Sequence, residues 1–512
     1  MTGVAAYKSS LVFNAAILYD GIVFLQIVLI MLGRLTSLFL ILVLTACGHT
    51  GKQHAQMIEA VRNGDFERAE KIAADEDFYQ NKPSLLVRYV ELGSMHYLKG
   101  EYYQALQNFD KAHRLSKELY TSISKSVAAQ IVGDGVTAYA GEKYELSLLR
   151  FYQSLTHYRL YEQGFYESYT VKTKGGTEGE SEKVIPRRDL SESEKKRHFN
   201  AARASILDWN SLLTTYTNES KSKKDFTQDM LAKTYGAEIH DIYGSNGDKQ
   251  ISKVLYKDVQ KLLKSLYADY EAYAAGQKKQ LSEYADRKGK DLFASSAKKE
   301  NVKFVLKAGV VTPKTAEKVD FNIPFSAFAA AGSKNDLADC LGWILPGQKI
   351  SFEIPSMKKP EKFKDYQLIV KNGEDKVLAQ KAMVLTAPVS ETAYREFQNQ
   401  RAGQIAKKGA RLTTKYAAAV VAACAVYDRD NFISWILSWT TFAGASKAID
   451  ASEYADVRYW GLLPHAVYQQ SVFLKPGKYT AEIRSEEKTV GTFPFTVTKS
   501  RPTLVDLNLP KE

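Results

Sequence analysis

The chain has 512 residues, 70 Lys and Arg against 58 Asp and Glu, a formal charge of +12 and three cysteines. Its 45% hydrophobic and 25% charged residues are the balance of a folded globular protein, which excludes a disordered chain, a disulfide miniprotein and a collagen-like fibre. Apolar runs are confined to two places, which excludes a polytopic membrane protein, and at roughly 150 residues per domain the length predicts two or three domains.

The first apolar place is the N-terminus. Residues 31–47 carry one positive charge, Arg34, then an apolar run, then small residues ending in Leu44-Thr45-Ala46-Cys47. This is the layout of a secretory signal peptide. The ending resembles the lipobox of bacterial lipoproteins. The resemblance implies acylation of the Cys47 thiol and cleavage just before it. A plain transmembrane anchor is the alternative, but the run before Cys47 is only about 12 residues where a spanning helix needs about 20. Residues 1–30 hold a second apolar run, Gly21 to Ile30, and translation is expected to start at Met31. Gly48, not Asp, follows the cysteine. By resemblance to enterobacterial sorting this implies the outer membrane, with the chain facing the periplasm. Cys340 and Cys424 remain. They either pair or stay reduced, and the Ala/Val-rich surroundings of Cys424 favour a buried free thiol.

Residues 47–285 read as a helical repeat domain. Apolar residues recur at i, i+3, i+4 and i+7, and Pro186 is the one proline between Gly93 and Tyr273. The clearest unit is Tyr89, Leu92, Gly93 and His96, then Gly100, Tyr102, Ala105, Phe109 and Ala112. It resembles the tetratricopeptide consensus in residue type and spacing. Gly93 and Ala105 are small where two helices cross, Gly100 permits the turn, and the aromatic residues fill the seam. Weaker copies start at Gly64-Asp65-Phe66, at Ala140-Gly141-Glu142 and at Gly247-Asp248-Lys249, the last after a helix over 229–243. Four stacked units suffice to bury a continuous core. Ser191 with Glu194 predicts a capping box opening a helix through Phe199, Ile206, Trp209 and Leu213. Residues 170–190, rich in Lys, Gly, Glu and Ser, predict a mobile loop, and 286–300 a linker. Tyr97, Tyr102, Tyr103, Tyr120, Tyr139, Tyr152, Tyr158, Tyr161 and Tyr166 crowd this half. They line a peptide-binding concave face or pack the helix seams, and Tyr suits both.

Residues 301–512 read as a mixed, β-rich domain. Strand-like runs occur at 302–306, 349–354, 366–370, 376–378, 472–474, 479–483 and 493–497. Asn372-Gly373 signals a hairpin. Pro476-Gly477 and Val490-Gly491 are expected turns, and the whole predicts an antiparallel sheet packed as a sandwich. Within it, 390–450 is helical. A basic stretch through Arg395, Arg401, Lys407, Lys408, Arg411 and Lys415 runs into Tyr416 to Val426, and Phe432 to Trp439 follows. Each apolar arm is below the transmembrane threshold of about 18 residues. The segment is either a buried helical hairpin or a device for a membrane or partner, with Trp435, Trp439, Arg411 and Lys415 as the contacts.

Glu453-Tyr454-Ala455-Asp456-Val457-Arg458-Tyr459-Trp460 is expected to be structural, with Asp456 and Arg458 bonding each other or backbone and Trp460 in the core. With Gly309 to Lys314, Ile350 to Pro355 and the repeat-rich front, the chain resembles a family of Gram-negative envelope lipoproteins. That resemblance implies no activity. The eight histidines form no His-x-x-x-His or His-Glu-x-x-His pattern, and no Gly-x-Ser-x-Gly or phosphate loop occurs. No metal, cofactor, nucleic acid or catalytic residue is expected; His465 near Asp456 is the nearest approach to a triad. The expected class is α+β multidomain: an all-α tetratricopeptide-like solenoid, then a β-sandwich-like module with an apolar helical hairpin. The expected function is an outer-membrane-anchored, non-enzymatic scaffold binding envelope proteins through its repeats. The alternatives are a membrane-active or export component using residues 416–442, and a cell-envelope hydrolase.

Overall fold

The computed structural model describes residues 46–75, 78–123, 138–174, 180–222, 224–293, 299–322, 335–344, 349–499 and 501–512. The expected signal segment with Arg34, Leu44 and Thr45 lies outside them, and Cys47 enters through the backbone of the first helix. The chain is mixed helix and sheet.

The first half is built of helix pairs. α1 (Ala46–Asn63) pairs with α2 (Phe66–Ala74), and α3 (Leu85–Lys99) with α4 (Tyr102–Ile123). Gly100 ends α3 at φ +88°, a left-handed conformation that a side chain would strain by about 1 kcal/mol or more. Gly93 has a different reason. A Cβ there would sit 2.5 Å from the Phe109 ring, so the two helices can cross this closely only over glycine. Ala105, Phe109 and Ala112 are fully buried at this seam, with Tyr89, Leu92 and Tyr102 partly buried against it.

α5 (Lys143–Gln163) pairs with α6 (Glu192–Glu219). Both begin with reciprocal capping boxes, Glu142 with Glu145 and Ser191 with Glu194. The expected loop between them is instead β-structure: β1 (Phe165–Tyr166), β2 (Tyr169–Lys174), β3 (Glu180–Ile185) and β4 (Arg188–Asp189), paired β1–β4 and β2–β3. The β-branched residues Thr170, Val171, Val184 and Ile185 support strands there, a signal that the Lys/Glu/Gly composition masks. α7 (Met230–Tyr243) and α8 (Asn246–Leu262) turn at Gly244, with Ser245 as N-cap. The expected turn residue, Gly247, lies inside α8. α9 (Ala275–Asp291) runs through the first part of the expected linker, because Leu281, Tyr284, Ala285 and Leu292 form a buried stripe at helical spacing.

The second half contains β5 (Val302–Ala308), β6 (Lys314–Asn322), α10 (Asn335–Ile344), β7 (Lys349–Met357), β8 (Gln367–Asn372), β9 (Val377–Ala382) and β10 (Val384–Ala387). Then come α11 (Val389–Cys424), α12 (Phe432–Ser452), β11 (Ala466–Val472), β12 (Gly477–Ser485), β13 (Lys488–Val497) and β14 (Thr503–Leu509). One four-stranded sheet has the order β10-β11-β5-β14 and another β13-β12-β8-β9. β14 pairs with β5 in parallel, which departs from the all-antiparallel expectation. The Asn-Gly hairpin forms between β8 and β9, but its left-handed residue is Asp375. The Asn372 side chain accepts the N–H groups of Glu374 and Lys376. The β12–β13 turn sits at Glu486 and Glu487, not at Val490-Gly491.

β5 explains how the halves join. Every residue of it is buried. Val302, Phe304, Leu306 and Ala308 pack with the second sheet, and Phe304 meets Phe495 edge-on at 5.4 Å. Lys303, Val305 and Lys307 alternate to the opposite side and face the helices. The same core holds Tyr256 and Tyr284 beside Val302 and Phe304, so packing runs across the expected domain boundary.

A separate small core joins α10, α11, α12 and β7 through Leu341, Phe352, Leu412, Tyr416, Val420 and Phe442. Here Cys340 and Cys424 form a disulfide, which corrects the expected free thiol. Tertiary packing brings their Cα atoms to 5.8 Å, although 84 residues separate them. Among the described residues no helix is long and apolar enough to cross a membrane.

Candidate functional site

The inner face of the helix pairs is filled by the chain itself. Trp460 enters between Phe109 and Tyr152, with ring centroids 5.9 and 5.4 Å away, and donates its indole N–H to Ser94 at 2.8 Å. Glu145 accepts the Trp460 backbone N–H at 2.8 Å. Glu91 accepts those of Gly461 and, at 3.2 Å, Leu462, and also bonds His54. Two buried carboxylates, from α3 and α5, therefore grip three consecutive backbone amides. A Cβ on Gly461 would lie 2.2 Å from Ile58, so α1 closes directly over that backbone. Arg458 pairs with Asp456 at 2.7 Å and donates to the Pro83 carbonyl, as its structural reading expects.

Strand β5 fills the rest. Lys307 bonds Asp506 at 2.6 Å and lies 4.4 Å over the Tyr97 ring, while the Tyr97 hydroxyl donates to the same Asp506. Lys303 bonds Asp241 at 2.6 Å and Glu238 more closely still. Of the nine tyrosines, Tyr97, Tyr139, Tyr152 and Tyr158 are buried, Tyr97 and Tyr152 against Lys307, and only Tyr120 is exposed. Sequence reasoning had singled out Trp460 and Tyr97 but missed Glu91, Glu145, Lys303 and Lys307. A charged residue inside an apolar helix or strand pattern was the available signal.

Burial opposes the charge of Lys303, but Asp241 and Glu238 hold its ammonium above the ordinary lysine value. Glu238, though buried, is pulled down to about 2 by Lys288 and Lys303. Glu396 on α11 behaves oppositely. Its carboxyl accepts the first N–H groups of α5, Lys143 and Tyr144, at 3.3 Å each. Burial, then the charge of Glu142, pushes it up to about 8 from 4.5. The folded chain then keeps a proton that the unfolded chain releases. This contribution to stability is fully present below the unfolded value and is lost as pH rises through the folded one. The urea midpoint of the wild type is expected to fall between pH 5 and pH 8, and that of Glu396→Gln to fall less. Equal slopes would refute the assignment.

His465 and Asp456 do not meet. His465 instead bonds the Ser390 hydroxyl at 2.8 Å and stacks on Phe363 at 4.5 Å. Ser390 is fully buried, while Asp456 is held by Arg458. Burial lowers His465 to about 4. Ser390 is thus closed to solvent, and its pair with His465 is without Asp456 as a third member.

Of the expected membrane or partner contacts, Arg411 and Lys415 turn inward and bond the buried Glu453 at 2.8 and 2.7 Å. Trp435 stacks on Tyr427 and donates to the Asp428 carbonyl. Trp439 is 49% exposed. Glu70, His96 and Glu101 form one group with spacing suited to a metal. The Lys99 ammonium already bonds both carboxylates, at 2.5 and 2.7 Å, and competes for that place.

A cleft of about 1470 Å³ lies between the α8–α9 connection, the loop after β7 and the start of α11. Tyr270, Tyr394 and Phe363 line it beside Lys359, Glu271 and Arg395. No family model, curated protein or solved structure matches this chain.

Proposed function

We propose that this chain is an outer-membrane lipoprotein anchored at Cys47 and facing the periplasm, where it serves as a non-enzymatic scaffold of an envelope complex. The observation that carries the reading is the signal layout ending in Leu44-Thr45-Ala46-Cys47. The Cys340–Cys424 disulfide supports it, because such bonds persist in oxidising compartments such as the periplasm. The helix pairs read as a tetratricopeptide-like array, supported by the Gly93–Phe109 crossing and the Gly100 turn. The two sheets sharing a core read as a sandwich-like module. With the concave side of the array occupied by Trp460 and β5, the reading places partner binding elsewhere, at the cleft beside Tyr394.

Two measurements test it. Labelled palmitate is expected in the wild-type chain and not in Cys47→Ser; an unlabelled wild type overturns the anchor. A photo-crosslinking residue at Tyr394 is expected to give a discrete adduct with one envelope protein in cells, while one at exposed Val254 gives none. No adduct at position 394 removes the cleft from the scaffold reading.

A further inference from the structure

The hairpin α11–α12 has two unlike sides. Tyr416, Val420, Ala423 and Phe442 face inward to the small core that the disulfide closes. Val421, Phe432, Ile433, Ile436, Leu437 and Trp439 face outward, with Phe432 and Ile433 each 73% exposed. Val426 adds to them at the turn, and among the described residues the other exposed large apolar side chains are scattered singly or in pairs over different elements. No charged residue occurs from Tyr416 to Tyr427 or from Phe432 to Ser446.

The placement of polar and charged groups on these helices bears on what covers that side. Thr414 donates to the Ala410 carbonyl at 3.0 Å, Thr440 to Ile436 at 2.8 Å and Thr441 to Leu437 at 2.7 Å. Ser446 donates to Ala443 at 3.1 Å, and the Trp435 indole to Asp428 at 3.0 Å. These donors return to the hairpin's own backbone, as Thr214 and Thr215 do on α6, so a hydrocarbon phase would leave none of them stranded. A protein partner would ordinarily find about one hydrogen bond per 100–200 Å² and a polar rim. The charges sit at the two ends. Asp428, Arg429 and Asp430 form the tip, and Lys447 marks the base. At 1.5 Å per residue the uncharged run of α12 is about 22 Å long, short of the ~30 Å hydrocarbon core. End-on insertion would carry the tip charges into the bilayer. A hairpin lying along the surface leaves both charged ends at headgroup level.

We propose that the outer side of α11–α12 lies in the plane of a phospholipid bilayer. Phe432, Ile433, Ile436 and Leu437 sit below the headgroups and Trp439 at their level. This rests on the envelope-lipoprotein reading for the nearness of a membrane, and it gives the chain a second contact with lipid besides its anchor.

The test uses the full chain, extracted from membranes and reconstituted into phosphatidylethanolamine/phosphatidylglycerol vesicles with plain or brominated acyl chains. Bromine is expected to quench tryptophan emission in the wild type, and the quenching to be lost in Trp435→Phe/Trp439→Phe. Ile433→Ser/Ile436→Ser/Leu437→Ser is expected to lose it as well, with helix content and the disulfide retained. Equal emission in both lipids overturns the proposal, as does quenching that survives the tryptophan substitutions. An unquenched wild type that forms a dimer abolished by the serine substitutions also overturns it, and names a second copy as the occupant. Mass analysis of the N-terminal peptide separates the two readings: a missing acyl group removes the anchor, while quenching still reports on the hairpin.

Discussion

Replacing Trp460 with alanine is expected to lower the unfolding free energy by about 3–5 kcal/mol, the range for removing a fully buried large aromatic side chain. Trp460 is 1% exposed and stands between Phe109 and Tyr152, so truncation opens a cavity that helices pinned by their own seams cannot collapse. It also strands the Ser94 hydroxyl, which is itself buried. The change strikes the junction of the two halves, because Glu91 and Glu145 grip the amides of residues 460–462. Trypsin is therefore expected to cut the variant between 453 and 465 at low urea, where the wild type resists. Trp460→Phe keeps most of the volume and loses the hydrogen bond, about 1 kcal/mol. If alanine and phenylalanine cost the same, cavity formation is not the cause.

Replacing Lys303 with methionine is expected to cost about 3–5 kcal/mol, because it leaves buried carboxylates without a partner cation. Glu238 and Asp241 are each about 1% exposed and both bond Lys303. Lys288 and Lys299 remain nearby, which places the expected loss at the lower end of that range. The double variant Lys303→Met/Glu238→Gln is expected to recover part of the loss, since a buried pair exchanged for neutral groups is often tolerated. Urea unfolding of the two single variants and the double variant gives the coupling directly. Strict additivity would show that the pair does not act as one unit.

Much of the local structure was legible. The Gly93, Gly100, Ala105 and Phe109 pattern located a close helix crossing because only certain residue sizes fit it. Ser191 with Glu194, and Asn372 in its turn, marked an element boundary and a hairpin through side-chain bonds to nearby backbone. Composition misled where it stood in for pattern. The composition of residues 170–190 predicts a charged loop, yet 169–174 and 180–185 pair in a ladder that sets Thr170 opposite Val184. The turn after β12 was placed at a glycine, while Glu486 and Glu487 adopt the left-handed conformation.

The candidate sites divide in the same way. The proposed lipidation site rests on four contiguous residues, Leu44 to Cys47, so it needs no fold to be proposed. The inner face of the helix pairs could not be assigned from tyrosine counts, because the same residue serves a peptide groove and a packed seam. Only the fold shows the seam filled by residues more than 300 positions away, through the Trp460 to Ser94 and Glu145 bonds.

By itself the sequence determined the helical character of the first half, the strand-rich second half and the uncharged hairpin. Each is written in periodicity or in contiguous residues. Tertiary structure alone decided the joining of the halves into continuous cores, the parallel pairing of β14 with β5, the burial of Lys303 and Lys307 and the Cys340–Cys424 bond. The reason is physical: a buried charge or a thiol pair is acceptable only beside its partner, and the partners lie tens to hundreds of residues away.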